Sequence, residues 1–381
     1  MESLIALSVI LYIVYLIYEK LYIKKIRSDF KHIIHVNGTR GKSTVCRLID
    51  AGLREAGLFV LTKTTGTSPR IIHTDGHETE IKRRGRANIR EQSAVMKLGA
   101  KEKAEILVVE CMAVKPEYQL VSQNDILMAD IGVITNVRLD HQDEMGYGLI
   151  NITNALGSSI PKNGVLFTAD SKAYIHYKRL EQKYNTKVCL ADDRDTIFQD
   201  IDFEENVSLA WEVCRYLGVE KNIAIKGMKK YKKDPGALEI LHIRNMQSTK
   251  ITFINAMAAN DPDSTLMIYR MLGIDKDDNY TNRILLINNR IDRADRMKQY
   301  IDFIKLTESL FDQIWVAGGF KNIMRRKILK SGVKPERVVM LEDISRVNNL
   351  KEETLIFGVG NMGGYGESII NFFKGYSECY A

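Results

Sequence analysis

Lys42 follows Gly38, Thr39, Arg40 and Gly41 and precedes Ser43 and Thr44, and residues of these types at this spacing suit phosphate chemistry. Gly38 and Gly41 allow the main chain to approach phosphate oxygens, and amides at a helix N-terminus face negative charge. Lys42 would reach the β- and γ-phosphates of ATP, and the Ser43 hydroxyl would sit on a magnesium ion. The general phosphate-loop pattern has a further glycine where this chain has Val36, so only the shorter Gly-Thr-x-Gly-Lys-Ser form is present. Two more places carry metal-binding types. Glu110 closes the apolar run 105–110, and Asp140-His141-Gln142-Asp143 follows the run 131–137, which contains Asn136. Carboxylates and an imidazole there suit Mg²⁺ or Mn²⁺ shared between protein and phosphate oxygens.

The scaffold for these residues is legible around them. Ile33, Ile34 and Val36 predict a strand before the glycines, and residues 45–53 predict the helix after them. The runs 105–110 and 131–137 read as buried parallel strands, and in open α/β sheets the C-terminal strand ends line the ligand crevice. The expected fold is therefore α/β with a mostly parallel sheet. Breaker-rich residues 226–236 suggest a domain boundary. Beyond it, strands at 250–255, 284–288, 314–317 and 355–357 alternate with helical patterns, which predicts a smaller, Rossmann-like α/β domain. The expected organisation is 1–27, an apolar anchor with a basic flank; 28–233, the ATP-binding domain; and 234–381, the second domain. Gly358-Val359-Gly360-Asn361-Met362-Gly363 matches a dinucleotide pattern, but no acidic residue follows at the ribose spacing, so a strand-to-helix turn is expected.

The 381 residues are long enough for two domains, and 45% hydrophobic content suits buried cores. Five scattered cysteines without a Cys-x-x-Cys pair predict free thiols and exclude a disulfide framework or zinc site. A net charge of +7 favours anionic partners without choosing among them. Residues 3–18 carry no charge, while Lys20, Lys24, Lys25, Arg27 and Lys31 follow. With Leu21, Tyr22 and Ile23 the stretch approaches the ~20 residues that span a bilayer. The positive-inside bias then predicts a single membrane span with the body in the cytoplasm. A core helix is the alternative, and a cleaved signal peptide lacks its basic leader.

The basic stretch 81–90 includes Arg83, Arg84 and Arg86. It reads either as a solvated loop or as a grip for carboxylates, since arginine pairs with them bidentately. No aromatic residues interleave to stack bases, so nucleic acid is not expected. Thr64, Thr65 and Thr67 lie in a loop that would line the same acceptor pocket.

Together, Gly-Thr-Arg-Gly-Lys-Ser, Glu110 and Asn136-Val137-x-x-Asp140-His141 resemble the central domain of the Mur ligase and folylpolyglutamate synthase superfamily. A narrower resemblance, to the CapB/PgsB family of poly-γ-glutamate synthase ligase subunits, rests on Lys63-Thr64-Thr65-Gly66-Thr67, Glu110-Cys111-Met112-Ala113-Val114, Asp140-His141-x-x-x-Met145-Gly146, Asp234-Pro235-Gly236-Ala237 and Ala258-Ala259-Asn260-Asp261-Pro262-x-Ser264. It implies an ATP-dependent amide ligase that activates a glutamate γ-carboxylate as an acyl phosphate and joins it to a glutamate amine. By this resemblance residues 38–44, Asn136 and Arg290 bind ATP, Ser43 and Glu110 bind one Mg²⁺, and His141 binds a second. Lys42, Glu110 and His141 are the expected catalytic set, and the second domain is expected to close over the crevice. The implied partners are glutamate and its polymer, the membrane, multi-span and extracellular subunits of an export complex, and a second copy of the chain. Many such ligases carry a carbamoylated lysine about a dozen residues past the histidine, and residues 151–161 contain none. Two other readings remain: a related ligase with a folate or cell-wall substrate, and an ATP-driven assembly switch.

Overall fold

The computed structural model describes residues 2–66, 69–83, 87–234, 238–257, 259, 262–274, 280–290 and 294–378. The chain divides into two compact units, Met1–Asp234 and Pro235–Ala381.

The first unit opens with helix α1 (Glu2–Arg27). Strand β1 (His32–Asn37) leads into helix α2 (Lys42–Glu55), and then come β2 (Val60–Thr64), β3 (Arg70–Ile72) and β4 (Glu78–Glu80). Helix α3 (Glu91–Lys101) precedes β5 (Ile106–Glu110). Helix α4 (Pro116–Val121) runs into a π-helical turn, Ser122–Leu127, before β6 (Ile131–Ile134), β7 (Val165–Thr168) and β8 (Lys187–Leu190). The eight strands form one sheet in the order β4-β3-β2-β5-β1-β6-β7-β8. All pairs are parallel except β2 with β3 and β3 with β4. The α/β fold and the mostly parallel sheet are as the sequence led one to expect. The antiparallel β3–β4 ribbon was not foreseen, because two three-residue strands carry too little periodicity to stand out from a loop.

After β1 the chain moves to one side for β2 and back to β5, then crosses β1 to reach β6. The order therefore reverses around β1, and such a reversal opens a crevice at the C-terminal strand ends. Alternation along β1 assigns its faces. Ile34 and Val36 pack with Val45, Cys46, Leu48, Ile49 and Leu53 of α2. On the other face Ile33 joins Leu61, Val95, Met96, Leu107 and Val109. His35 and Asn37 share that face yet are buried, because Gln123 and Gln119 of the α4 segment hydrogen-bond them at 2.8 Å each. A polar strip inside a sheet core survives only with such partners.

Helix α1 has two parts with different surroundings. The segment Ile5–Arg27 is long and apolar enough to cross a membrane, by length and composition. Its residues from Ile5 to Tyr18 are exposed, whereas Ile23 and Ile26 are buried with Phe30, Val95, Met96 and Leu127 in the core of the first unit. Glu19 and Lys20 pair with Arg90 and Asp125 at 3.5 and 3.7 Å. Ile23, read from sequence as part of the span, thus belongs to the globular core. The uncharged stretch 3–18 then supplies about 24 Å of helix at 1.5 Å per residue.

The second unit is a six-stranded sheet of β9 (Glu239–Arg244), β10 (Lys250–Asn255), β11 (Asn282–Asn289), β12 (Gln313–Gly318), β13 (Val338–Met340) and β14 (Thr354–Gly360). Its order is β13-β12-β11-β14-β10-β9, parallel except for β9. β9 and β13 are additions to the sequence reading. Phe253 on β10 stacks on Phe373 of the last helix, Tyr365–Glu378, with ring centroids 4.0 Å apart. Gly358 lies within β14, Gly360 ends it, and Gly363 and Gly364 lie in the turn to that helix, with Gly360 and Gly364 at φ of +100° and +72°. Cys46, Cys111, Cys189 and Cys214 are free thiols.

Candidate active site

Gly38 and Gly41 have φ of +127° and +78°, the left-handed region that glycine adopts without strain. Gly41 starts α2 and offers no side chain to cap it, so the first-turn amides of α2 face the loop as a phosphate site requires. Lys42 Nζ donates to the carbonyls of Gly38 at 2.7 Å and Thr39 at 3.4 Å, so its ammonium lies folded over the loop.

The loop is braced from β6 and the segment after it. Thr39 N–H donates to the Asn136 carbonyl at 3.0 Å, and Arg40 N–H donates to Asn136 Oδ1 at 3.1 Å. Asn136 Nδ2 and Thr135 Oγ1 donate to the Arg40 carbonyl at 3.2 and 2.6 Å. The Arg40 guanidinium pairs with Asp140 at 2.6 Å. Burial alone would raise the Asp140 carboxyl, but the Arg40 charge outweighs it and holds the group below the usual carboxylate range. Asn136 and Arg40 thus act on the loop's shape, through bonds within the protein.

Ser43 and Glu110 are brought together by the sheet. Val36 and Glu110 are register partners across β1 and β5, and α2 begins just beyond the same end of β1. Ser43 Oγ donates to Glu110 Oε2 at 2.8 Å, and Thr65 N–H donates to the same oxygen at 2.6 Å. Glu110 is buried. No three His, Cys, Asp or Glu side chains gather as a metal cage among the described residues. Two adjacent oxygen donors in front of a helix N-terminus nonetheless fit Mg²⁺ or Mn²⁺, which keep waters and take phosphate oxygens as further ligands.

His141 begins the short helix Gln142–Met145 with φ +47°, its Nε2 3.7 Å from Asp140 Oδ2 and its Nδ1 3.9 Å from Glu144 Oε2. The helix Leu149–Leu156 and the residues up to Pro161 contain no lysine. Of the residues expected on the acceptor side, Thr64 is buried, its hydroxyl without a hydrogen-bond partner among the described residues, and the Thr65 amide bonds Glu110. Arg83 pairs with Glu91 of α3 through two bonds of 2.8 and 3.0 Å. Thr67, Arg84 and Arg86 lie outside the described residues. So do 235–237, 258, 260–261 and 291–293 of the second unit. Arg290 follows β11 in that unit, its Nη1 2.9 Å from where a Cβ on Gly363 would stand.

Two site residues escaped the sequence reading. Arg47, one turn into α2, is 2% exposed and binds Glu78 bidentately at 2.9 and 3.0 Å and Asp234 at 3.2 Å. Asp234 Oδ2 and Ser43 Oγ lie 2.4 and 2.8 Å from the point where a Cβ on Gly66 would sit, so they face the same gap. Burial pushes the Asp234 carboxyl up to about 6, with Arg47 opposing and Glu110 adding to the rise. The sequence signal was available: a charged residue inside the apolar stripe of α2 needs a buried partner.

Residues 36–227 match the Mur ligase middle domain, and residues 240–376 match the poly-gamma-glutamate synthase CapB C-terminal domain. The capsule biosynthesis protein CapB of Bacillus anthracis is 35% identical over 392 residues, covering 97% of this chain and 82% of that protein. The PGA synthase CapB of Bacillus subtilis (strain 168) is 37% identical over 363 residues, 90% of each. The bifunctional folylpolyglutamate synthase/dihydrofolate synthase of Yersinia pestis c092, complexed with AMPPNP and Mn ion, superposes with a TM-score of 0.66 at 13% identity over 92% of this chain and 91% of that one.

Proposed function

The chain belongs to the CapB family of poly-γ-glutamate synthases, and on that premise we propose that it is an ATP-dependent amide ligase making poly-γ-glutamate at the cytoplasmic face of a membrane. The observation that carries the site assignment is the Ser43–Glu110 pair, 2.8 Å apart at the N-terminus of α2.

In this mechanism the α2 amides and Lys42 bind the ATP phosphates, which requires the Lys42 ammonium to leave the carbonyls of Gly38 and Thr39. A divalent cation at Ser43 and Glu110, Mg²⁺ or Mn²⁺, supplies charge neutralisation on the phosphate oxygens. A glutamate γ-carboxylate oxygen attacks the γ-phosphorus, the bond to the bridging oxygen breaks, and ADP leaves. The amine of a second glutamate then attacks the acyl carbon, forms the amide, and releases phosphate and a proton. Phosphoryl transfer of this kind needs positioning and charge stabilisation more than covalent help, and the fixed loop provides both. His141, beside Asp140, would hold a second cation in this reading. Asn136 orders the loop beneath the nucleotide, and Arg290 is a further proposed nucleotide ligand. Thr64, Thr65, Thr67, Arg83, Arg84 and Arg86 are assigned to the acceptor side. Membrane-embedded and extracellular export subunits, and a second copy of the chain, complete the proposed partners.

The test is hydroxylamine trapping. Membranes carrying the chain, given ATP, Mg²⁺ and glutamate, should yield glutamyl hydroxamate, and Lys42→Ala should lower the yield about 10³-fold through loss of phosphate charge stabilisation. ATP hydrolysis without hydroxamate would point to an assembly switch instead.

The anchor has its own test. Deleting residues 2–18 removes the exposed helical segment 5–18 and keeps Ile23 and Ile26 in the core. The truncated chain should leave the membrane fraction, with the melting temperature of the first unit changed by less than about 3 °C. A truncated chain that still pellets with membranes would remove the anchor from this reading.

A further inference from the structure

Two of the sequence motifs meet at a point the mechanism above does not use. Lys63, in the second position from the C-terminal end of β2, is 0% exposed. Its Nζ lies 3.2 Å from Met112 Sδ and 3.6 Å from Glu91 Oε2. An ammonium has three protons to place. Among the described residues its near partners are the Met112 thioether, a weak acceptor, and the Glu91 carboxylate at the longer distance of 3.6 Å. Glu91 is already engaged bidentately by Arg83, so two cations share that carboxylate, and the Glu110 charge also acts on Lys63. Burial pushes the Lys63 ammonium below its usual value, and Glu91 opposes that shift. His35 adds no positive charge here, since burial, together with Lys63, brings it down to about 4. Gln92, next to Glu91, is buried, and its Nε2 has no hydrogen-bond partner among the described residues.

The position is also informative. Lys63 is the register partner of Val109, one residue before the strand-end Glu110. Successive side chains of a strand point to opposite faces, so Lys63 lies with Leu61 and Val109 on the α3 face, and Glu110 meets Ser43 on the α2 face. Met112 is half-buried, with its Sδ against the fully buried ammonium. Its unbranched thioether moves readily.

We propose that Lys63 holds the α-carboxylate of the glutamyl unit whose γ-carboxylate is phosphorylated, with Met112 as the plug that the carboxylate displaces. This rests on the ligase reading and adds to it the determinant of which carboxylate meets ATP. A charge-assisted bond from Lys63 anchors the α end, and the γ end reaches across the strand termini toward Ser43 and Glu110.

The experiment compares glutamate with 4-aminobutyrate, which keeps the amine and the γ-carboxylate but lacks the α-carboxylate. Hydroxamate formation is measured on the full chain in membranes. The wild type should favour glutamate by about 100-fold in kcat/KM, as a site built to bind a polar group rejects the analogue without it. Lys63→Met should raise the KM for glutamate by about 30-fold, leave the KM for ATP within about twofold, and reduce the preference to near unity. Lys63→Arg should restore part of the preference. Met112→Ala, which leaves the lysine in place, should lower the glutamate KM severalfold, and it carries the test if Lys63→Met does not fold. Unchanged selectivity in Lys63→Met, or an unchanged glutamate KM in Met112→Ala, overturns the proposal alone. A wild type that makes no hydroxamate from either acid overturns the ligase reading and this inference with it.

Discussion

Glu110→Gln is expected to lower kcat for glutamate-dependent ADP release by on the order of 10³, while an ATP analogue still binds within about fivefold of wild type. The amide can still accept the Thr65 N–H, so the turn after β2 keeps its hydrogen bond. What disappears is the negative charge beside Ser43, in a place where Glu110 is buried and its field is little screened. A cation there would keep only the hydroxyl and the phosphates as ligands. The α2 amides and Lys42 remain, so nucleotide affinity changes less than turnover. The measurement is steady-state ADP release against metal concentration, alongside analogue binding by fluorescence. Turnover within tenfold of wild type would remove Glu110 from the site.

Gly38→Ala should be nearly as damaging, by a different route. A Cβ at residue 38 would stand 2.1 Å from Thr135 Oγ1 and 2.8 Å from Thr135 N, and φ of +127° is a conformation that alanine rarely adopts. Thr135 cannot simply rotate away, because its hydroxyl bonds the Arg40 carbonyl and its amide bonds the Asn37 carbonyl. The loop must shift, and Lys42 loses the backbone that positions it. Strain and a displaced bracing strand together cost about 2–4 kcal/mol, and the first unit should melt roughly 5–12 °C lower. Nucleotide binding should be lost at saturating concentrations for the wild type. Differential scanning calorimetry with and without ATP reads both effects. A variant that melts normally and binds ATP would show that the loop tolerates the close approach.

These two sites were legible in the sequence to different degrees. The phosphate loop is local: strand, glycines, lysine and hydroxyl, then helix are fixed by residues 33–53, and their spacing carries its own reason. Glu110 and the Asp140-His141 pair could be placed at strand ends because apolar runs mark buried parallel strands, and the crevice of such sheets lies at those ends. The four strands read in the second domain likewise follow from short apolar runs between helical patterns.

Contacts between distant segments were not legible. Ser43 reaches Glu110 only because β5 is the strand that inserts beside β1, and Arg47 reaches Asp234 across 187 residues. Lys63 entered the sequence reading only as part of a family motif, and packing on the α3 face made it a buried cation beside Met112 and Glu91. Ile23 read as membrane span until Phe30, Val95 and Met96 claimed it for the core. The sequence by itself determined the chemistry of the loop, the α/β class and the apolar N-terminal helix, because each depends on neighbours within about twenty residues. Tertiary structure alone decided which charges are paired, which are buried and where α1 stops being free. Burial and pairing are properties of the surrounding chain, and a strand order that places β5 between β1 and β2 cannot be read from any one segment.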